Sequence, residues 1–367
     1  MPANNRIYYA SQSVQLQPQN ADGSAVFNGR YVPQGLQSVG MTTNFSLQPV
    51  FQLGQLELYD NLENVPEVEV TLNKVVDGTP PLYAMCMCGS AGISAVNGVE
   101  LVDLVNNRVN FRLGIWPDTV SATTGTATHH VDCSGMYLSR FNFTLPVDGN
   151  ATEEITLVGN NKVWNTGSAM STSEFNPSNG TSPTAPGIVR RYSVDFANTV
   201  LPTGDAGIPV PEGRSINRPY VQSVTISADL GREAIQEIGA MAPYFRYVRF
   251  PLEVRSEFQV VASDGDTIDA SDFSDKTGCG NDYRNVKDKT VKLTLCAGTG
   301  TTAGSLGLDL GTKNKLTSVN YTGGDTGGGN ATITYSFQTY NKFNMTLGGT
   351  FGQTKWIDNT ADTDSYT

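Results

Sequence analysis

"GREAIQEIGAMAPYFRYVRFPLEVRSEFQVVA" runs from Gly231 to Ala262, and two periodicities meet in it. Over Arg232–Met241 the apolar residues Ala234, Ile235, Ile238 and Met241 stand at i, i+1, i+4 and i+7, one stripe if the chain is helical. Asp229 stands where an N-cap is wanted, and Pro243 forbids continuation. The spacing predicts one short flanking α-helix over about 231–241. So short a helix does not hold in water unaided, so the stripe Ala234, Ile235, Ile238 and Met241 is expected to be a docked face. From Pro251 the period changes to two. Leu252, Val254, Ser256 and Phe258 share one face, and Glu253, Arg255, Glu257 and Gln259 share the other. That is a strand with one buried and one charged face.

The strand signal repeats along the chain. In "VPEVEVTLNKV" (Val65–Val75) Val68, Val70 and Leu72 alternate with Glu67, Glu69, Thr71 and Asn73, and "DGTPP" ends the run as a turn. "LYAMCMCG" (Leu82–Gly89) reads as a short buried apolar segment, and residues 97–116 as one or two strands. "MYLSRFNFTLPVDGNATEEITLVGNNKVW" reads as a hairpin turning at "VDGN". "VKLTLCAG" is a strand, and two more flank the Gly-rich loop Gly323–Gly329. The stretches around that hairpin, "DTVSATTGTATHH" and "NTGSAMSTSEFNPSNGTSPTAPG", are rich in Ser, Thr, Gly and Asn and read as long surface connections. The fold expected is mainly β, a sandwich or barrel-like single domain over 1–367, with a polar insertion at about 117–186.

Composition agrees. Gly (38) and Pro (18) are frequent among 367 residues and only 16% are charged, which suits many short strands joined by turns. The net charge of −11 argues against a surface that grips nucleic acid, because phosphate is held by Lys and Arg. Five cysteines, an odd and irregularly spaced set, make a poor disulfide framework and suit a reducing compartment. "MPANNRIYYASQSVQLQPQN" has no signal-peptide pattern, and no apolar run is long enough for a membrane helix. The N-x-S/T sequons at Asn44, Asn142, Asn150, Asn179, Asn320, Asn330 and Asn344 then follow from Asn and Thr abundance.

Candidate chemistry is sparse. Asp264, Asp266, Asp269, Asp272 and Asp275 lie close together, but lack the Gly and closing Glu of an EF-hand loop, and read as a solvated acidic loop. His129 and His130 with Cys133, and Cys86 with Cys88, do not match a zinc spacing and read as loop residues and buried thiols. No nucleophile elbow accompanies the histidines, and "GGDTGGG" is not a phosphate loop. No catalytic residue, metal ligand or cofactor is expected, and the chain reads as a non-enzyme.

Three blocks carry a resemblance: "QLGQLELYDNLENVPEVEVTLNKVVDG", "LGREAIQEIGAMAPYFRYVRFPLEV" and "LGTKNKLTSVNYTGGDTGGGNATITYSF". Together they cover roughly a quarter of the chain and resemble the tail tube (major tail) proteins of tailed bacteriophages. The resemblance implies a β-sandwich or barrel-like core with a helix at its flank, assembling as hexameric rings that stack into a hollow tube for DNA delivery. It implies a virion tail protein made in the host cytoplasm, with no membrane. Its partners would be further copies of itself and tape-measure, tail tip, sheath or neck proteins, with genome DNA passing through without specific binding. The segment at 117–186 has no counterpart in a minimal tube protein and would decorate the exterior. The Asn44–Gly78 segment and the Glu253–Gln259 strand are the candidate lumen or inter-subunit surface, through Glu67, Glu69, Glu253, Arg255 and Glu257, and the carboxylates Glu67, Glu69, Glu253 and Glu257 are placed nearest the channel. A wall lined by carboxylates suits passage, since phosphates move freely along a surface that does not bind them. The alternatives are a carbohydrate-binding β-sandwich, favoured by sequons and Thr/Asn-rich loops, a polysaccharide-acting β enzyme, and another virion component such as a tail completion or capsid decoration protein.

Overall fold

The computed structural model describes residues 6–93, 98–118, 122, 127–166, 187–195, 220–262, 288–298, 304–324, 329–352 and 357–358. The chain is mainly β, with two short helices and no closed barrel among these residues. Strands β1 (Gln12–Gln19), β2 (Arg30–Tyr31), β3 (Leu36–Asn44), β4 (Leu47–Phe51), β5 (Leu58–Glu63) and β6 (Glu67–Val75) precede helix α1 (Leu82–Met87). Then come β7 (Val99–Glu100), helix α2 (Leu101–Leu104), β8 (Arg108–Ile115), β9 (His129–Pro146), β10 (Thr152–Gly159), β11 (Val163–Thr166) and β12 (Val194–Asp195). The remaining strands are β13 (Val221–Asp229), β14 (Arg232–Ile235), β15 (Phe245–Val248), β16 (Glu253–Val261), β17 (Lys292–Ala297), β18 (Gly304–Asp309), β19 (Lys315–Thr322), β20 (Thr332–Tyr340), β21 (Asn344–Gly349) and β22 (Ile357–Asp358).

One 13-stranded antiparallel sheet dominates, and β9 is its spine. The first half of β9 lies between β8 and β11, and its second half between β10 and β13. A bulge separates the halves. Gly135 takes φ +62, its N–H donates to Asn110 Oδ1 at 2.9 Å, and the β8 register slips there. A bulge of this kind bends one strand and lets it change partner. Beyond it the pairings run β3–β6–β10–β9–β13–β16–β20–β19 without interruption.

The alternation read in β6 and β16 is present. Val68, Val70 and Leu72 are buried on β6, and Val254, Ser256 and Phe258 on β16. The hairpin around "VDGN" is β9–β10, and β19 and β20 flank the Gly-rich loop. Across the sheet the row Leu72, Ile155, Phe141, Ala228, Val254 is buried, with Val39 half-buried at its β3 end. A second sheet, β12–β17–β18–β21–β7, adds Leu293, Leu295, Leu306, Leu308 and Met345 to the same core. Each such side chain removed from water is worth about 1.5–3 kcal/mol.

"LYAMCM" is helix α1, wholly buried against β1, β8, β9 and β10. Tyr83 packs edge-on to Phe141 and Phe343. Pro81 supplies no side-chain cap. The buried carboxylate of Glu153 on β10, four strands further along the chain, takes that role by accepting the N–H groups of Leu82 and Tyr83, each at 2.7 Å. Burial pushes the Glu153 carboxyl up to about 7, against these two donors and the ammonium of Lys74, which favour its charge. Lys74 stands opposite it in register and donates to Asp77 Oδ1 at 2.6 Å and Thr79 Oγ1 at 2.8 Å.

Two expectations are corrected. The helix over 231–241 is absent. Arg232–Ile235 is instead strand β14, paired with β15 in a two-stranded flap, and the chain between them is turn. Tertiary contacts override the weak helical spacing. The Arg232 guanidinium donates to the carbonyls of Leu138 (2.8 Å), Arg246 (3.2 Å) and Val105, and sits over the Tyr137 ring at 5.1 Å. Cross-strand pairs Glu233–Tyr247 and Ile235–Phe245 favour the extended form. Gly231 at φ +50 and Gly239 at φ +99 break the would-be helix. Nothing covers the proposed stripe: Ala234 and Ile235 are exposed, Met241 is 68% exposed and Ile238 108%. The short helices present lie at 82–87 and 101–104 instead.

The polar insertion at 117–186 is corrected in part. Residues 129–159 carry β9 and β10, which are central to the sheet, so that part is scaffold and not decoration. His129 and His130 accordingly lie on β9, not in a loop. Its remaining stretch 167–186 lies outside the described residues, as do Asp264, Asp266, Asp269, Asp272, Asp275 and Cys279.

Candidate assembly interface

Glu67, Glu69, Glu253, Arg255 and Glu257 all stand on the face of the main sheet opposite the core. The face is polar far beyond these five. The cross-strand row Ser38, Asn73, Glu154, Asn142, Ser227, Arg255, Gln338, Lys315 crosses all eight strands, edge to edge, with no apolar member. The sheet brings the two predicted strands to one surface but not side by side, since β10, β9 and β13 lie between β6 and β16.

Charges on this face are locally paired. Glu253 accepts a hydrogen bond from Arg255, which holds the guanidinium above its ordinary pKa. Glu67 pairs with Arg246 at 2.8 Å, and Arg140 approaches Glu69 at 4.0 Å. The Arg255–Glu253 and Arg140–Glu69 pairs are largely exposed and contribute little to stability, whereas the Arg246 side chain is buried. Together these pairs leave a hydrated wall with little unpaired positive charge.

Both edges of the eight-strand run are long. Among the described residues β3 pairs only with β6, and β19 only with β20. Each therefore presents a row of backbone groups able to bond another strand.

Next to the β3 edge, the chain from Phe45 to Val65 leaves the body as a separate two-stranded arm, β4–β5. Every residue of β5 is exposed. Phe45, Leu47, Phe51, Leu58, Tyr59 and Leu62 are exposed along its length, and Leu53 and Leu56 at the tip are 103% and 102% exposed. The arm lies within the Asn44–Gly78 candidate segment, but its leucines were not singled out by alternation. The available signal was apolar residues on both phases of a strand pattern, so that no single core-facing side can be drawn.

A second polar cluster is buried where β8, β9 and β11 meet. The Arg112 guanidinium forks onto Asp132, at 2.5 Å to Oδ1 and 3.2 Å to Oδ2, and Asn165 Nδ2 donates to Oδ2 at 3.1 Å. His130 Nε2 lies 3.4 Å from the same oxygen. These contacts tie three strands together. Burial pushes the thiols of Cys88 and Cys133 up to about 12, which suppresses thiolate reactivity. Among the described residues no three His, Cys, Asp or Glu side chains gather as a metal-holding group, and no helix is long and apolar enough to cross a membrane. No protein-family model matches the sequence, and no curated protein is similar to it.

Proposed function

We propose that the chain is a structural subunit that joins copies of itself edge to edge into closed rings, which stack into a tube of the kind built by phage tail tube proteins. The polar sheet face would line the channel, with DNA as the cargo delivered through it and the virion tail as its location. One observation carries this reading. The run from β3 to β19 contains an even number of strands, all antiparallel, and both end strands are open. β19 of one copy can therefore pair with β3 of the next without breaking the antiparallel alternation. The contact is heterologous, and repeated rotation closes it into a ring. Closure would remove the exposed edges. The wholly polar row then forms one continuous hydrated surface, whose paired acidic and basic groups offer DNA phosphates few cationic anchors.

Negative-stain microscopy of the purified protein at raised concentration tests the reading. Annular or tubular particles of uniform diameter are expected. A protein that stays monomeric and is retained by an immobilised glycan would replace it with the carbohydrate-binding alternative.

A further inference from the structure

Among the described residues the β4–β5 arm carries eight of the exposed large hydrophobic side chains, in one continuous stretch of chain. Its tip lies roughly 30 Å of strand beyond its root at Phe45, at about 3.4 Å per residue. Its eight large apolar side chains present roughly 1,000 Å² to solvent, if each offers about the area typical of a large side chain. That matches the roughly 800 Å² per partner of a standard specific interface and exceeds the patch a lone soluble chain tolerates.

At the root of the same arm is a groove of about 360 Å³. Its apolar walls are Phe45, Pro66, Val68 and Trp164, and Trp164 on β11 is 57% exposed. The Lys162 ammonium lies in its rim, donating to Thr43 Oγ1 at 2.9 Å. The tip offers the complement. Leu53 and Leu56 project fully into solvent, and Glu57 follows at once. The arm from Phe45 to Val65 carries Glu57, Asp60 and Glu63 and no Lys or Arg. Groove and tip thus agree in apolar character and are opposite in charge.

We infer that the arm tip of one copy seats Leu53 and Leu56 in the root groove of a second copy of this chain, with Glu57 facing Lys162. Tip and groove are different surfaces of one protomer, so the contact is heterologous. It leaves a free tip at one end and a free groove at the other, and it propagates without closing. This rests on the ring reading and deepens it: edge pairing closes each ring, and the tip-to-root contact stacks one ring on the next.

The test uses the full chain. In Leu53→Ser/Leu56→Ser the altered side chains touch nothing in the protomer, so the circular dichroism spectrum and melting should match the wild type. Microscopy should then show single rings where the wild type forms tubes. A variant that stacks as the wild type does overturns the inference and leaves the ring reading standing. A wild type that forms neither rings nor tubes at any concentration overturns the ring reading itself. Benzoylphenylalanine in place of Leu56, irradiated in a mixture of ¹⁵N-labelled and unlabelled copies, should cross-link between copies to the Phe45, Pro66–Val68 or Lys162–Trp164 region. Cross-links confined to other surfaces overturn it. So does flotation with phosphatidylcholine–phosphatidylglycerol vesicles that the serine variant loses, since the tip would then be a membrane-contacting loop.

Discussion

Helix α1 and the β4–β5 arm are both apolar runs, and they have opposite surroundings. Leu82–Met87 is buried on every side, reached by a carboxylate from β10 and by rings from β9 and the loop before β21. The arm touches no layer of the body along β5. Hydrophobicity alone does not decide burial. What separates the two is whether the topology supplies a second surface. α1 follows β6 directly and falls under the bend of β9, whereas the arm begins where β3 and β6 run out of neighbours. An apolar run with no partner inside the protomer has its partner outside it, or is a liability.

The comparison breaks first at Tyr83. Tyr83→Ala removes a buried ring from between Phe141 and Phe343, and a loss of about 3–5 kcal/mol is expected. Urea unfolding measures it, and a loss under about 1 kcal/mol would show that α1 is not an integral part of the core.

A pH titration sharpens the contrast next. The Glu153 carboxyl is raised from 4.5 to about 7 in the folded chain. Between these values the folded state holds a proton that the unfolded state has released. Stability contributed by that proton is therefore present at and below about pH 4.5 and is lost as pH rises towards 7, by about 3 kcal/mol in all. In Glu153→Gln this slope should vanish. Unfolding midpoints of the two proteins should thus converge or cross between pH 5 and 8, and a constant difference would mean that the carboxylate is charged throughout.

The arm should respond in the opposite sense. Leu53→Ser/Leu56→Ser changes the unfolding free energy of the protomer by no more than about 0.5 kcal/mol, as for exposed sites generally. Differential scanning calorimetry at a concentration too low for assembly is the suitable measurement. A drop of several kcal/mol would show that the arm packs on its own body.

The smallest effect is expected at Ile238. On a docked helix, Ile238→Asp would bury a charge at a cost of several kcal/mol. At the tip of the β14–β15 flap, with the side chain in solvent, the change should leave melting unaltered. Precipitation of this variant would mean that the flap is covered in solution.

The parts of the fold legible in the sequence were those where one strand face meets the core and the other meets water. β6, β16 and the β9–β10 hairpin fall in this class, because period-two alternation is a direct image of a half-buried strand. α1 was visible as a buried run but not as a helix, since six apolar residues carry no period that separates the two forms. Arg232–Met241 misled for a related reason. Its stripe is short, and the decisive contacts of Arg232 with Leu138 and Val105 are distant in sequence. The first half of β9, from His129 to Gly135, was obscured by the Thr/Gly-rich stretch before it, whereas "MYLSRFNFTLP" alternates. As for the candidate surface, alternation placed Glu67, Glu69, Glu253, Arg255 and Glu257 on the outer faces of their strands. That those strands share one sheet follows only from pairings between residues far apart in sequence.

The strand parity between β3 and β19 also limits how such a chain can change. If copies meet at these edges, deleting or adding a single strand anywhere between them would turn every joint from antiparallel to parallel and shift its hydrogen bonds out of step. Only whole hairpins can be gained or lost. Growth by single residues is confined to the connections, the places where the sequence is richest in Ser, Thr, Gly and Asn, and the sheet between them is held to an even number of strands by arithmetic as much as by packing.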